Sequence, residues 1–374
     1  MELDLLGARI LVGPVLVVPV PGSGAAMGPY AVAEIRSVVG HRRIAVISDT
    51  NVAPIHAQPL ARALGAPAED CFNVPAGEAS KSRAEWSRLT DAMLARGFGR
   101  DTVVLAIGGG VVGDLAGFVA ATFMRGVPFI QVPTSLLAMI DAAIGGKTGL
   151  DTGAGKNLVG AFHQPLLVIA DPRTLETLPP AHFRNGLAEA LKHAVITGAS
   201  ELEWLVSRAP RLVGSSGPET AVVAELVERN VRIKIAVVAR DEREGGVRKT
   251  LNFGHTIGHA IETVSGYSMP HGECVAIGMR AEAMIAQALG LASESFSARV
   301  SEGLRALVLP LLPASPMRAE DVLAATRTDK KARDGTVEYA LMSEVGAPVD
   351  RDTGYGTRVP DEIVVAALAR AFAA

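Results

Sequence analysis

Three histidines crowd the stretch TLNFGHTIGHAIETVSGYSMPHG, residues 250–272. His255 and His259 are four positions apart, so on a helix they share one face. His271 follows a Gly-Tyr-Ser-Met-Pro break and precedes a glycine, which places it where a loop enters the next helix. Neutral imidazole is the commonest metal ligand. Two histidines, one carboxylate and an open position make a catalytic zinc site. A lone histidine is more often packed or capping. An i, i+4 pair with a third close behind, in a chain with eight histidines in all, favours a metal.

The carboxylate has to come from elsewhere. Residues 183–196 form an Ala-, Leu- and Val-rich helical stretch that carries Glu189, Lys192 and His193. Glu189 and Lys192 are three apart and share a face. A surface pair is the commoner explanation, but so apolar a helix is expected to be buried, and a buried charge needs a partner. Glu189 is therefore the carboxylate offered to the metal. Lys234 lies on a long helix, 227–240, and Arg248 and Asn252 precede His255 at intervals of four and three. The spacing predicts that they line one face with the histidines. Cations beside a metal suit a substrate with hydroxyls or a carbonyl together with a phosphate or carboxylate. Asp329-Lys330-Lys331 adds two cations in a late loop.

A second chemical signal lies in the first half. TVVLAI, residues 102–107, reads as a strand, GGGVVGD follows at once, and a helical run comes after. Gly108, Gly110 and Gly113 satisfy G-x-G-x-x-G in its required strand–turn–helix context, where glycines let the backbone approach a pyrophosphate and the helix N-terminus attracts the anion. A tight turn without a ligand would look similar. No acidic residue ends a second strand about 20 residues on, so NAD would bind by a variant of the usual scheme. Lys147 and Lys156 sit in two Gly-rich segments expected to be anion-binding loops. They do not form a nucleotide-triphosphatase loop, because Asp141 stands where that motif needs a glycine.

The elements that position these residues follow from periodicity. Short β-rich runs at 43–48, 102–107, 129–133 and 166–170 alternate with helical stretches such as 83–96, the pattern of a parallel α/β sheet. Asp49-Thr50-Asn51 ends the first of these runs, where open α/β sheets bind ligands and where a helix cap is equally at home. Residues 1–30 are apolar and proline-rich, an edge strand and loop with no assigned role. After Pro179-Pro180 the chain reads as helices almost throughout to 309, with a strand at 338–342. The expected organisation is a Rossmann-like α/β domain over 1–180 and a mostly helical domain over 181–374.

Composition narrows the function. The chain has 374 residues, 49% of them hydrophobic and only 4% aromatic, with a net charge of −3. That offers no field for nucleic acid or an anionic membrane surface. Cys71 and Cys274 are far apart and form no disulfide framework, which fits a reducing cytoplasm. No secretory leader and no membrane span are expected.

Together these residues resemble the 3-dehydroquinate synthases, a family of sugar phosphate cyclases. The resemblance runs from Asp49 to Lys331 through DTN, GExxK, GGGVVGD, MRG, PTSLL, Asp141 with Lys147, GKN, AExxK, NxGHTxGHxxE and HGE, in that order. It implies an NAD-binding α/β domain followed by a helical metal domain. It implies zinc (or cobalt) held by Glu189, His255 and His271, which moves His259 from the metal to the substrate. It implies NAD contacts from Asp49, Asn51, Glu78, Lys81, Gly109, Gly110, Gly113, Asp114, Thr134, Ser135, Lys147, Lys156 and Thr177. The substrate contacts it implies are Asp141, Lys147, Asn157, Lys192, Lys234, Arg248, Asn252, His259, Lys330 or Lys331, and Arg125 reaching across a homodimer interface. His163 and His193 stand where the family usually has tyrosine. The implied reaction, in the shikimate pathway, is NAD-recycled oxidation, phosphate elimination, reduction and intramolecular aldol closure. The alternatives are another cyclase acting on a heptulose phosphate, and a metal-dependent polyol dehydrogenase.

Overall fold

The computed structural model describes residues 1–13, 17–20, 24–153, 155–327 and 337–373. It divides into two compact units, Met1–Pro179 with Val227–Ile235, and Pro180–Leu226 with Ala236–Ala374. Val227–Ile235 lies within the span expected above to be part of the helical domain.

The first unit is built on a seven-stranded sheet in the order Glu2–Leu5, Ala8–Val12, Leu167–Ala170, Phe129–Pro133, Thr102–Gly108, Arg43–Asp49, Cys71–Val74. All neighbours pair in parallel except the first two, which form an antiparallel hairpin at the edge. The apolar N-terminal segment thus supplies two edge strands, and Val17–Val20 pairs separately with Gly24–Met27. The central strand Thr102–Gly108 is buried at every residue, as a parallel strand covered on both faces must be. One face packs under Leu89, Met93, Leu115 and Val119 from the helices Arg83–Ala95 and Gly110–Thr122. The other is covered by Ala31, Ile35, Leu60 and Ala61 from the helices Pro29–Val39 and Gln58–Leu64.

The two Gly-rich segments expected as loops are instead a β-hairpin, Lys147–Thr152 against Gly155–Phe162. Glycine permits it by close approach rather than by looseness: a Cβ on Gly160 would lie 2.2 Å from the Thr148 carbonyl oxygen. Lys147, Lys156 and Asn157 are therefore held on strands.

The second unit is helical. Its main elements are Pro180–Thr197, Ala199–Val213, His255–Val264, His271–Ala288, Glu294–Ala306, Ala319–Thr326 and Asp361–Phe372. Ile257, Ile261, Ile277, Ile285, Val322, Leu341 and Leu368 fill its core. The strand expected at 338–342 is two short ladders, Glu338–Tyr339 with Thr357–Arg358 and Met342–Glu344 with Ala347–Pro348. No helix among the described residues is long and apolar enough to cross a membrane.

Candidate metal centre and cofactor cradle

Three helices of the second unit bring together Glu189, His255 and His271. Glu189 is in the middle of Pro180–Thr197, and the histidines are the first residues of His255–Val264 and His271–Ala288. The helices approach to backbone contact because they meet on glycines. A Cβ on Gly278 would lie 2.0 Å from the Gly254 carbonyl oxygen, and one on Gly272 would lie 2.0 Å from that of Asn185. The Gly272 N–H donates to Asn185 Oδ1 at 2.5 Å, tying the start of the His271 helix to the helix of Glu189. Gly254 adopts φ 81°, a left-handed turn that ends the 3₁₀ segment Val247–Asn252 and lets a new helix begin at His255. Arg248 and Asn252 thus precede the histidines on a separate element, and the single face expected from their spacing is not formed.

The three ligand atoms lie within 4.8 Å of one another. Glu189 Oε1 is 3.4 Å from His255 Nε2 and 3.4 Å from His271 Nε2. Atoms bound at about 2.0–2.2 Å to one tetrahedral ion stand roughly 3.4 Å apart, so both separations from Glu189 fit a shared divalent metal. Neutral nitrogens and a carboxylate are the donors such an ion takes. His259 is not among them; its ring centre lies 5.4 Å from that of His255, nearly perpendicular to it, and 5.8 Å from that of His271.

Glu189 and Lys192 form an ion pair with side chains 0% and 1% exposed, so the surface-pair explanation fails. Burial opposes the charge of Glu189, but Lys192 and then His255 hold its carboxyl well below the usual range. Burial likewise opposes a charge on His271, yet the hydrogen bonds it donates to Glu189 and Glu262 push its pKa up to about 10. In the metal-free protein this contributes stability below the ordinary value of 6.5 that is lost as pH rises through about 10. A metal must displace that proton. The metal-free protein is expected to bind a divalent ion about tenfold more tightly per pH unit between about pH 7 and about pH 10. Affinity that is flat across this range, measured by chelator competition, contradicts the assignment of His271 as a ligand.

Arg248, 1% exposed, donates from Nη1 to the Glu242 carbonyl. Asp241 accepts from the N–H groups of Gly245, Gly246 and Arg248 and so fixes the turn that carries it. Asn252 Nδ2 donates to Glu244 Oε1 at 2.7 Å. Lys330 and Lys331 lie outside the described residues.

In the sheet unit, Thr102–Gly108 runs directly into the turn that starts the helix Gly110–Thr122. A Cβ on Gly108 would meet Val112 at 2.6 Å and one on Gly113 would meet Gln131 at 2.8 Å, so two of the motif glycines seat the helix on the sheet. Gly109 is the N-cap and offers no side chain to the first turn of helix, which leaves room for an anion. Thr134 N donates to the Gly108 carbonyl at 2.9 Å, and Ser135 faces Gly109.

Beside this turn is a charged cluster. Lys81 Nζ is 2.7 Å from Asp114, 3.9 Å from Glu78 and 4.0 Å from Asp151, and Lys156 is 3.7 Å from Glu78. Burial of Lys81 works against its charge, but Asp114, Glu78 and Asp151 raise it to about 12. Burial pushes Asp151 up to about 6 against the pull of Lys81. Asp49 Oδ1 accepts from the N–H groups of Asn51 and Val52, which closes a turn ahead of the helical segment Ala53–Ala57 but does not cap it, since the N-cap of that segment is Val52. Thr177 Oγ1 donates to the Thr174 carbonyl and lies 2.9 Å from His56 Nε2. Lys234 Nζ donates to Asp141 Oδ1 at 2.5 Å, a contact within this unit because Val227–Ile235 belongs to it. Lys147 pairs with Phe162 on the hairpin, and Asn157, at φ 55°, donates its N–H to Asp151. Arg125 is exposed at φ 69° on a left-handed turn.

Four residues that touch these groups are given no role by the sequence reading: Asp151, Glu244, Glu282, and Glu262, which closes the NxGHTxGHxxE motif. Glu262 has a readable signal, since it falls seven after His255 on the same helix face. Glu282 accepts from the N–H groups of Gly254 at 2.7 Å and Ile257 at 3.2 Å, so a carboxylate from another helix caps the helix of His255. Nothing local in the sequence marks it.

Two family profiles match consecutive parts of the chain: 3-dehydroquinate synthase N-terminal over residues 71–185, and 3-dehydroquinate synthase C-terminal over 186–332. A 3-dehydroquinate synthase of Cereibacter sphaeroides is 42% identical over 349 residues, 91% of this chain and 92% of that protein. One of Symbiobacterium thermophilum is 44% identical over 311 residues, 82% and 86% of the two chains. Among solved structures, a 2-epi-5-epi-valiolone synthase from Streptomyces hygroscopicus with NAD+ and Zn2+ bound superposes with a TM-score of 0.82 at 28% identity, covering 99% of this chain and 98% of that one. A 2-deoxy-scyllo-inosose synthase shares the fold, with a TM-score of 0.83 at 24% identity and 99% coverage of both chains.

Proposed function

This chain belongs to the 3-dehydroquinate synthase family, and on that premise we propose that Glu189, His255 and His271 hold a divalent metal while the glycine turn and charged cluster of the sheet unit hold NAD. The enzyme is a lyase that converts 3-deoxy-D-arabino-heptulosonate 7-phosphate to 3-dehydroquinate and phosphate. The observation that carries the site assignment is the pair of 3.4 Å separations from Glu189 Oε1 to the two imidazole nitrogens.

A divalent ion held there supplies Lewis acidity to a substrate hydroxyl. NAD supplies a hydride acceptor that is regenerated within one turnover. The remaining work falls to the protein's own groups. Gly109 and Gly110 open the first turn of their helix to the pyrophosphate. Asp49, Asn51, Thr134, Ser135, Thr177, Glu78, Lys81, Asp114, Lys147 and Lys156 complete the cofactor contacts. Lys234 holds a proton against Asp141, so this pair offers the substrate a donor and an acceptor locked to each other. Arg248, whose planar fork matches a carboxylate, takes the substrate carboxylate, and Asn252 and His259 orient hydroxyls. Lys192, Asn157 and either Lys330 or Lys331 complete the substrate contacts. The leaving phosphate takes the proton beside the new ketone, so no separate protein base is required, and catalysis rests on positioning and electrostatics.

Zinc is the ion assigned, with cobalt accepted by the same donors. Residues 1–180, joined by Val227–Ile235, are the NAD-binding domain, and the rest of 181–374 is the metal- and substrate-binding domain. The protein is a cytoplasmic homodimer in which exposed Arg125 reaches the partner's substrate. Titration of NAD into Lys156→Ala tests the cradle: affinity is expected to fall about tenfold, as for one lost charge-assisted contact. Unchanged affinity removes Lys156 from it.

A further inference from the structure

His271 lies between two carboxylates, one at each ring nitrogen. Nε2 is 3.4 Å from Glu189, and Nδ1 is 2.5 Å from Glu262 Oε1. Glu262 is 1% exposed and sits in the last turn of His255–Val264. Behind it the chain reverses: Ser265 Oγ and Tyr267 N both donate to the Glu262 carbonyl, and Gly266 and Tyr267 adopt φ 63° and 61°. The turn returns the chain to Pro270, so that His271 starts its helix against the Glu262 side chain.

We infer that Glu262 is a positioning residue for His271, accepting its Nδ1 proton and so committing Nε2 to the metal. The inference rests on the metal assignment above. A histidine that ligates through Nε2 must carry its proton on Nδ1, and the partner at Nδ1 fixes both the tautomer and the ring plane. At the other histidine, His255, Nδ1 lies 3.3 Å from the Phe253 carbonyl. A buried carboxylate at 2.5 Å restrains the ring more tightly than a carbonyl and makes its nitrogen a better donor to a cation. Glu262 also spans the ligand set, because its own helix begins with His255 while its side chain grips His271. One rigid ten-residue helix therefore fixes the spacing of two ligands.

The test uses the full chain, stripped of metal and titrated with Co(II), in wild type, Glu262→Gln and Glu262→Ala. Affinity is read by chelator competition, and ligand geometry by the visible Co(II) absorption. Gln keeps the shape and the acceptor but loses the charge, so about tenfold weaker binding is expected with a wild-type-like spectrum. Ala frees the ring, so up to about 100-fold weaker binding with a shifted spectrum is expected, along with faster loss of metal to the chelator. A merely structural role predicts that Glu262→Gln matches wild type in both readings, and that result overturns the inference even if the Ala variant does not fold. Wild-type protein that binds no Co(II), or a His271→Ala variant that binds it normally, would instead defeat the metal assignment itself.

Discussion

Glu189→Gln is expected to empty the metal centre. The substitution keeps volume and shape at a fully buried position, so loss of charge is the whole perturbation. It removes the anionic ligand and leaves the equally buried ammonium of Lys192 without its ion-pair partner. Breaking a buried pair from one side costs about 3–5 kcal/mol, which corresponds to roughly 100- to 4,000-fold if it is all expressed in metal affinity. Metal analysis of the dialysed variant should find less than one ion in ten chains, and activity should fall in proportion and recover only partly in excess metal. A variant that retains one tightly held ion per chain would take Glu189 out of the ligand set.

Arg248→Ala carries the second large effect. The guanidinium is 1% exposed, and its backbone is fixed by Asp241, so the fork is held in one orientation before substrate arrives. Truncating one member of a buried charge pair typically costs 2–5 kcal/mol, so KM for the acidic substrate is expected to rise roughly 100-fold. If Arg248 binds ground state and transition state alike, kcat should change far less than KM. Arg248→Lys should recover only part of the loss, because an ammonium cannot bind a carboxylate bidentately. An unchanged KM would place carboxylate recognition on another cation.

The rival reading as a polyol dehydrogenase gains no weight from fold alone. A probable glycerol dehydrogenase from Sinorhizobium meliloti superposes with a TM-score of 0.64 at 15% identity, so the architecture is common to both chemistries. The relatives that align over most of the chain at above 40% identity are synthases.

The sequence disclosed those parts of the fold and site that depend on short-range pattern. The strand at 102–108, the glycine turn and the helix after it obey a local rule, and all three form. The helix carrying Glu189 and Lys192 was readable because its apolar composition implied burial. What escaped depended on contacts distant in sequence. Alternation in Lys147–Thr152 and Gly155–Phe162 was hidden by their glycines, which signal loops in isolation but here allow two strands to approach closely. Spacing alone put Arg248, Asn252 and His255 on one face, because nothing local shows that Gly254 would turn left-handed under the packing of Met279 and Val275. Glu282, which lies 28 residues from the N–H it caps, has no local signature at all. His271 came near its place only because the Gly-Tyr-Ser-Met-Pro break before it flagged a helix start. Its geometry against Glu262 is set by the turn at Gly266–Tyr267.

The central claim is a phosphate-eliminating cyclase that recycles its NAD. The most direct measurement incubates the purified protein with NAD, Zn(II) and 3-deoxy-D-arabino-heptulosonate 7-phosphate, following phosphate and the NADH absorbance together. The expected result is one phosphate released per substrate consumed, with no NADH accumulating beyond the enzyme concentration. NADH that accumulates in step with substrate loss, or substrate that persists without phosphate release, would contradict it.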